Sequence, residues 1–321
     1  MQDPRHCYEM MLDLTMSDYR CQQLVIGLVW TLFVPDTPLA RPGLAMSPGT
    51  VSRTLTWPGE LQKQSARELA SWIHSWNSHE ASVALAAINC LSQRYDFPES
   101  IRLEPGPGGN LGVFDYFLPE LRGKKVVVIG HYPGIEAYQS AMQLTVLERQ
   151  PAGIDLPDTA SEYLLTDADW VFITASSLAN KTFPRLAELA AQATTVLMGP
   201  SLPWLPHWHE FGIDYLAGVE VMDPASLFDC VTQGGGVRIF EKSVAYRIAE
   251  LTPACSMNWL KTSIGDCFAR RSQLNKAMER WYEHGQSSRF PEYAELEGIN
   301  RGLSHLDSSF KRLWDAHGQD Q

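Results

Sequence analysis

Lys124-Lys125-Val126-Val127-Val128-Ile129-Gly130-His131-Tyr132-Pro133-Gly134 decides the fold when read with Leu144-Thr145-Val146-Leu147-Glu148-Arg149 and Asp169-Trp170-Val171-Phe172-Ile173-Thr174-Ala175-Ser176-Ser177. Each is a short run of β-branched and aromatic residues that ends in a polar or glycine-bearing turn. An apolar run of this kind suits a strand whose two faces are both covered, as parallel strands between helices are. Helix-like segments fill the intervals, so the pattern predicts a doubly wound parallel α/β sheet with strands at 124–130, 143–149, 170–175, 194–199 and 214–221. Parallel sheets place their ligands at the carboxyl ends of the strands. The turns after Gly130, Glu148 and Ala175 are therefore expected to converge on one site.

Upstream, the apolar run Leu24 to Val34 and the runs Gly43 to Met46 and Thr54 to Trp57 are β-prone and separated by Pro and Gly, which suggests a small antiparallel meander. Ser65 stands three residues before Glu68 in the spacing of a capping box, and Ser78-His79-Glu80 opens a second helix that is apolar nearly all round, hence buried. A turn-rich link, Pro98 to Gly112, separates this small α+β part from the alternating pattern. Downstream, Asp223-Pro224 starts a final helix that Gly234-Gly235-Gly236 stops. Beyond it Val244, Ile248, Leu251, Trp259, Phe268, Leu274, Trp281, Leu303, Leu306, Phe310 and Trp314 sit among dense charges, as in amphipathic helices. The expected domains are 1–110, 111–240 and a helical extension at 241–321. A body that folds without the segment from about 255 onward is expected, with the tail covering part of the crevice or joining two copies.

The net charge of −11 lies wholly in residues 1–240, because residues 241–321 hold equal numbers of acidic and basic side chains. An acidic body argues against binding a phosphate backbone and suits a small molecule or a cation. No apolar run approaches the ~18 residues of a membrane span. The start lacks the layout of a signal peptide, so a cytoplasmic location is the default expectation. The six cysteines include no C-x-x-C pair and signal neither a disulfide framework nor a thiolate zinc site.

Of the residues that can carry chemistry, His131 follows a buried strand directly and is positioned to ligate a metal or move a proton, with Glu148 or Asp155 as carboxylate partner. Gly130 supplies only the first glycine of a dinucleotide fingerprint, and Tyr132 occupies the second glycine's place, which disfavours NAD. Glu148 ends the second strand near where an acidic side chain would accept ribose hydroxyls. Asn180-Lys181-Thr182 opens a helix and forms a candidate anion hook, while Ser161 or Thr159 caps the short helix before it. His207 and His209 would share an ion only on an extended segment. No G-x-S-x-G elbow is present.

Gly130-His131-Tyr132-Pro133, Glu148-x-x-Pro151, Asp155-x-Pro157, Ser161-Glu162-Tyr163-Leu164-Leu165, Asp167-Ala168-Asp169, Asn180-Lys181-Thr182, Met198-Gly199-Pro200-Ser201 and Gly234-Gly235-Gly236 occur in one order. Together they resemble the heavy-metal chelation family, a two-domain family of unknown function. Val25-Ile26-Gly27-Leu28 and Ala86-Ala87-Ile88-Asn89 resemble its first domain, so the likeness covers about residues 20–240. It implies an enolase-N-terminal-like α+β domain, a Rossmann-like domain, and an interdomain cleft for a transition metal ion or metal chelate. Residue by residue, it carries over to Asn89, Gly130, His131, Glu148, Asp155, Ser161, Glu162, Asn180, Lys181 and Thr182, with His131, Glu148 and Asp155 as the metal set. Ala175-Ser176-Ser177 departs from the family's usual glycine after the strand, and residues 241–321 have no counterpart in the two-domain unit.

Three functions follow as expectations. The first is a metal or metal-chelate binder using His131, Glu148 and Asp155. The second is an enzyme holding an adenosine-containing molecule, with Glu148 on the ribose and Asn180 to Thr182 on an anionic group. The third is an assembly protein, a homo-oligomer for instance, acting through its C-terminal helices.

Overall fold

The computed structural model describes residues 3–13, 18–38, 40–51, 54–92 and 100–317. Helix α1 (His6–Asp13) precedes a three-stranded antiparallel meander, β1 (Cys21–Ile26), β2 (Trp30–Pro35) and β3 (Gly43–Met46). Helices α2 (Ala66–Ala70) and α3 (Ser78–Ser92) follow, then the short strand β4 (Ile101–Arg102) and helix α4 (Gly112–Leu121). The alternating part holds β5 (Lys125–Ile129), β6 (Gln143–Glu148), β7 (Leu156–Pro157), α5 (Ser161–Leu164), β8 (Trp170–Thr174), α6 (Ser176–Ala179), α7 (Phe183–Leu189), β9 (Thr194–Met198), β10 (Tyr215–Val221), α8 (Pro224–Thr232) and α9 (Ile239–Lys242). Strand β11 (Val244–Glu250) and the long helices α10 (Pro253–Glu283) and α11 (Tyr293–His317) complete it.

The second sheet has eight strands in the order β4-β11-β10-β9-β8-β5-β6-β7. Strands β10 through β7 are parallel, β11 runs antiparallel to β10, and β4 antiparallel to β11. From β5 the chain moves outward to β6 and β7, then returns to β8 on the other side of β5 and proceeds outward again. Strand order therefore reverses between β5 and β8, and at such a reversal the crossovers leave in opposite directions and open a crevice at the carboxyl ends.

Both faces of β5 are buried, as the unbroken run 126–129 requires. Val126 and Val128 pack with Phe114 and Phe117 of α4 and with Phe172 and Val196, while Val127 and Ile129 pack with Ile173, Leu178 and the buried length of α3. Helix α3 is apolar all round because it is enclosed all round: every residue from Ala81 to Ser92 is buried between the meander and the sheet. Its approach to β3 is close enough that a Cβ on Gly43 would stand 2.0 Å from the Ala86 carbonyl, so only glycine fits. The Ser65 and Asp223 caps form as their spacing predicts.

Four expectations change. The Leu24–Val34 run is folded into a hairpin at Gly27, whose N–H donates to the Trp30 carbonyl at 3.0 Å. Thr54 to Trp57 is not a strand; the Trp57 ring lies 5.6 Å from Trp72 instead. Within the expected link, Pro98 and Glu99 fall outside the described residues, and Ile101–Arg102 is a strand. Val244 and Ile248 lie on β11 rather than on an amphipathic helix, because all seven residues of β10, from Tyr215 to Val221, pair with it and bury it as sheet.

The C-terminal helices are also more deeply placed than expected. Trp259, Leu260, Cys267, Leu274, Ile299, Leu303 and Leu306 are buried in the same cluster as Ile173, Ala249 and Leu251 of the sheet domain, and α11 also packs on α1. The tail therefore shares a core with the sheet domain, and we predict, against the expectation from the sequence, that the body does not fold without it.

His207 sits where the aromatic segment meets these helices, fully buried between Trp208 and Phe211, and neither ring nitrogen has a hydrogen-bond partner among the described residues. Burial holds its pKa well below the ordinary histidine range, and the neighbouring imidazoles of His209, His6 and His305 push the same way. The unfolded chain takes up a proton that the fold refuses, so this group's contribution to stability is present above about pH 6.5 and is lost as the pH falls. His207→Phe keeps the ring packing and should flatten the acid limb of stability against pH, read by urea unfolding between about pH 7 and pH 5. An unchanged acid limb would assign the acid sensitivity to other groups.

Candidate functional site at the strand-order reversal

Gly130 ends β5 at φ +95, a left-handed turn in which an added Cβ would also stand only 3.2 Å from the Thr174 methyl, so the position selects glycine twice over. The turn carries His131 over the end of β6. There the His131 N–H donates to Glu148 Oε2 at 3.0 Å, and Glu148 Oε1 accepts the N–H groups of Arg149 at 2.7 Å and Gln150 at 3.2 Å. Glu148 therefore ties the β5 and β6 turns together. Both of its oxygens accept backbone N–H groups, a clamping role beside the ribose or metal contact expected from the sequence.

Asp155, just before β7, has its side chain 2% exposed and fixes the ring of His131: Nδ1 lies 2.9 Å from Asp155 Oδ1, while Asp155 Oδ2 accepts the Ala152 N–H at 3.1 Å. A carboxylate only accepts hydrogen bonds, so the imidazole proton belongs on Nδ1 and the lone pair on Nε2. Nε2 faces Glu136 Oε1 at 3.6 Å, on a side chain 29% exposed. Asp155 thus orients His131 and is not itself free to coordinate. Among the described residues no group of three or more His, Cys, Asp or Glu side chains is placed to hold a metal ion.

Across the reversal, Thr174 Oγ1 and Ser176 Oγ are 3.1 Å apart at the end of β8. The Tyr132 ring meets Phe114 edge-on at 5.4 Å, and burial pushes its hydroxyl above the ordinary phenol range, although a hydrogen bond with Thr174 opposes this. Asn110 donates to the Pro133 carbonyl at 3.0 Å and steadies the turn. The first part of the chain closes the β9 side: Asn89 Nδ2 donates to the Leu44 carbonyl at 2.7 Å and the Pro200 carbonyl at 3.4 Å, and the Met46 N–H donates to Ser201 Oγ at 2.8 Å. Asn89 Oδ1 is buried and has no partner among the described residues.

The other expected site residues do not join His131. Glu162 is paired with Arg185 at 2.8 and 2.5 Å on the surface, and Ser161 is buried in the first turn of α5. Asn180 Oδ1 accepts the Thr182 N–H at 3.1 Å and hydroxyl at 2.6 Å, a local turn that uses up the groups expected to hook an anion. Lys181, at φ +70, sends its ammonium group to the Ile73 carbonyl and over the Tyr8 ring at 4.8 Å, and burial brings its pKa down to about 8. The anion-hook reading of Lys181 is corrected accordingly. Of the other histidine pair, His209 Nδ1 engages the Pro206 carbonyl at 2.9 Å, while His207 is fully buried. Sequence reasoning overlooked Glu136, five residues past His131 in the same turn, and the hydroxyls of Thr174 and Ser176, which end the strand next to β5.

Residues 112–250 match the DUF364 family model and residues 8–92 match DUF4213, both described as "Putative heavy-metal chelation". The chain belongs to this family. A DUF364 protein of unknown function from Desulfitobacterium hafniense has a solved structure 28% identical to this chain, with a TM-score of 0.66, covering 78% of this chain and 100% of its own. Another, from Pyrococcus horikoshii, is 22% identical with a TM-score of 0.64, covers 77% of this chain and 99% of its own, and shows the same fold. No curated protein matches. The DUF364 match ends at Glu250, the last residue of β11, so this antiparallel strand lies within the family's unit while α10 and α11 lie beyond it. None of the helices among the described residues is long and apolar enough to cross a membrane.

Proposed function

We propose that the crevice between β5 and β8 binds a transition metal carried by a small chelating molecule, with His131 Nε2 as the protein's donor and Glu136 beside it. The single observation that supports this most is the contact of His131 with Asp155 at 2.9 Å. A buried carboxylate that takes the Nδ1 proton sets the tautomer, locks the ring and directs the Nε2 lone pair outward, which is how outer carboxylates prepare metal-ligating histidines.

The donor set distinguishes a free ion from a chelate. One imidazole and one carboxylate fall short of the three or four protein ligands of a self-sufficient site. Glu148 and Asp155 are already engaged by backbone N–H groups and by His131. The missing ligands would come from the bound molecule, and the metal would supply the charge and coordination that select it. The family's description supports heavy-metal chelation in general terms; the crevice, the chelate and the role of His131 are our reading. The adenosine reading loses support because Glu148 already accepts three backbone N–H groups and Asn180 Oδ1 accepts the Thr182 N–H and hydroxyl.

Calorimetry with nickel nitrilotriacetate, a chelate with coordination positions left open, tests the proposal beside nickel ion alone. One site per chain for the chelate, absent in His131→Ala, is the expected result. Equal binding by wild type and folded His131→Ala would sink it.

A further inference from the structure

At the far side of the sheet, β11 and β4 pair with Arg247 directly opposite Arg102. Directly opposed residues leave the same face of an antiparallel pair with Cβ atoms about 5 Å apart, and like charges in that arrangement destabilise the pairing. Gly218 of β10 is the register partner of Arg247, so Glu220, two residues on, projects from this face as well. Glu220 is shared: its Oε1 accepts from Arg41 Nη1 at 2.5 Å, and its Oε2 lies 3.6 Å from Arg247 Nη1. Arg41 also donates to the Val221 carbonyl at 3.0 Å.

Two guanidinium groups thus share one carboxylate, and a third arginine, Arg102, stands opposite one of them, in a chain whose net charge is −11. Arg247 Nε is buried and has no hydrogen-bond partner among the described residues. Arg102 is exposed, and among the described residues it is in no ion pair. The indole of Trp204 lies over Gly218, where an added Cβ would come within 2.8 Å of it, and gives the group a rigid wall.

We propose that Arg41, Arg102 and Arg247 form a binding site for a small oxyanion of two or more charges, a phosphoryl group or a polycarboxylate. The planar fork of donors on each guanidinium matches such oxygens in pairs. An anion here offsets the repulsion between Arg102 and Arg247. The site is separated from His131 by β8, β9 and β10 in the strand order and does not depend on the metal reading.

The test is calorimetric titration at low salt with two probes, pyrophosphate and citrate. Saturable binding of either to wild type is expected, weakened about tenfold or more in Arg102→Gln and Arg247→Gln and falling as salt is raised. Arg102→Gln is the safer variant for folding, because it removes an exposed side chain. Binding of pyrophosphate alone identifies a phosphoryl ligand, and of citrate alone a polycarboxylate. Failure of both to bind wild type at millimolar concentration, or an unchanged affinity in folded Arg102→Gln, overturns the site.

Discussion

A chain cut after residue 254 is expected to aggregate. The cut removes α10 and α11, and with them Trp259, Leu260, Cys267, Leu274, Ile299, Leu303 and Leu306, all buried in the cluster that includes Ala249 and Leu251 of the sheet domain. Each large apolar side chain withdrawn from water contributes about 1.5 to 3 kcal/mol. Several lost together exceed the ~5 to 15 kcal/mol that separates a folded domain from its unfolded chain. Polar ties go as well: Glu210 loses Arg312, which donates to it at 2.6 Å, and the hydroxyl of Ser309. The soluble fraction after expression, followed by gel filtration, measures the effect. A soluble monomer with a cooperative unfolding transition would show that the helices are an appendage. A graded version is Trp259→Ala in the full chain, which leaves a large cavity and should cost about 3 to 5 kcal/mol in urea unfolding.

His131→Ala should weaken chelate binding at least tenfold while leaving the fold intact, because the ring is part-exposed and its loss opens no cavity in either core cluster. Asp155→Asn separates orientation from ligation. The amide can still contact Nδ1, but it carries no charge to hold the proton there, and losing an outer carboxylate of this kind weakens metal affinity about 10- to 100-fold. The two variants are compared by calorimetry with nickel nitrilotriacetate, with circular dichroism to confirm folding. If Asp155→Asn binds as wild type does while His131→Ala does not, the histidine ligates without help from Asp155. If neither variant differs from wild type, the metal site lies elsewhere. Glu148→Ala acts by another route: it removes the acceptor of three backbone N–H groups and should loosen the turn that carries His131.

The strands at 124–130, 143–149, 170–175, 194–199 and 214–221 were legible because strand identity is local. A strand buried on both faces must be apolar at every position, and only a few contiguous residues are needed to recognise it. The caps at Ser65 and Asp223 were legible for the same reason, since their partners lie three residues away. His131, Glu148 and Asp155 could be named as neighbours because parallel topology brings strand ends together. Their roles could not be. Whether a carboxylate is a ligand, a clamp or a spectator depends on which N–H groups reach its oxygens, and those come from turns up to 24 residues away in sequence. Lys181 reads as a hook beside a helix start, yet its direction is set by the Ile73 carbonyl, 108 residues distant. β11 was hidden because only its pairing reveals it as a strand: Val244 to Glu250 alternates weakly and becomes sheet by pairing along the whole of β10. The C-terminal helices show their apolar stripes openly in sequence, but a stripe does not say what it faces. Burial against Leu251 and the sheet is a property of the whole folded surface, and only the tertiary structure decides it.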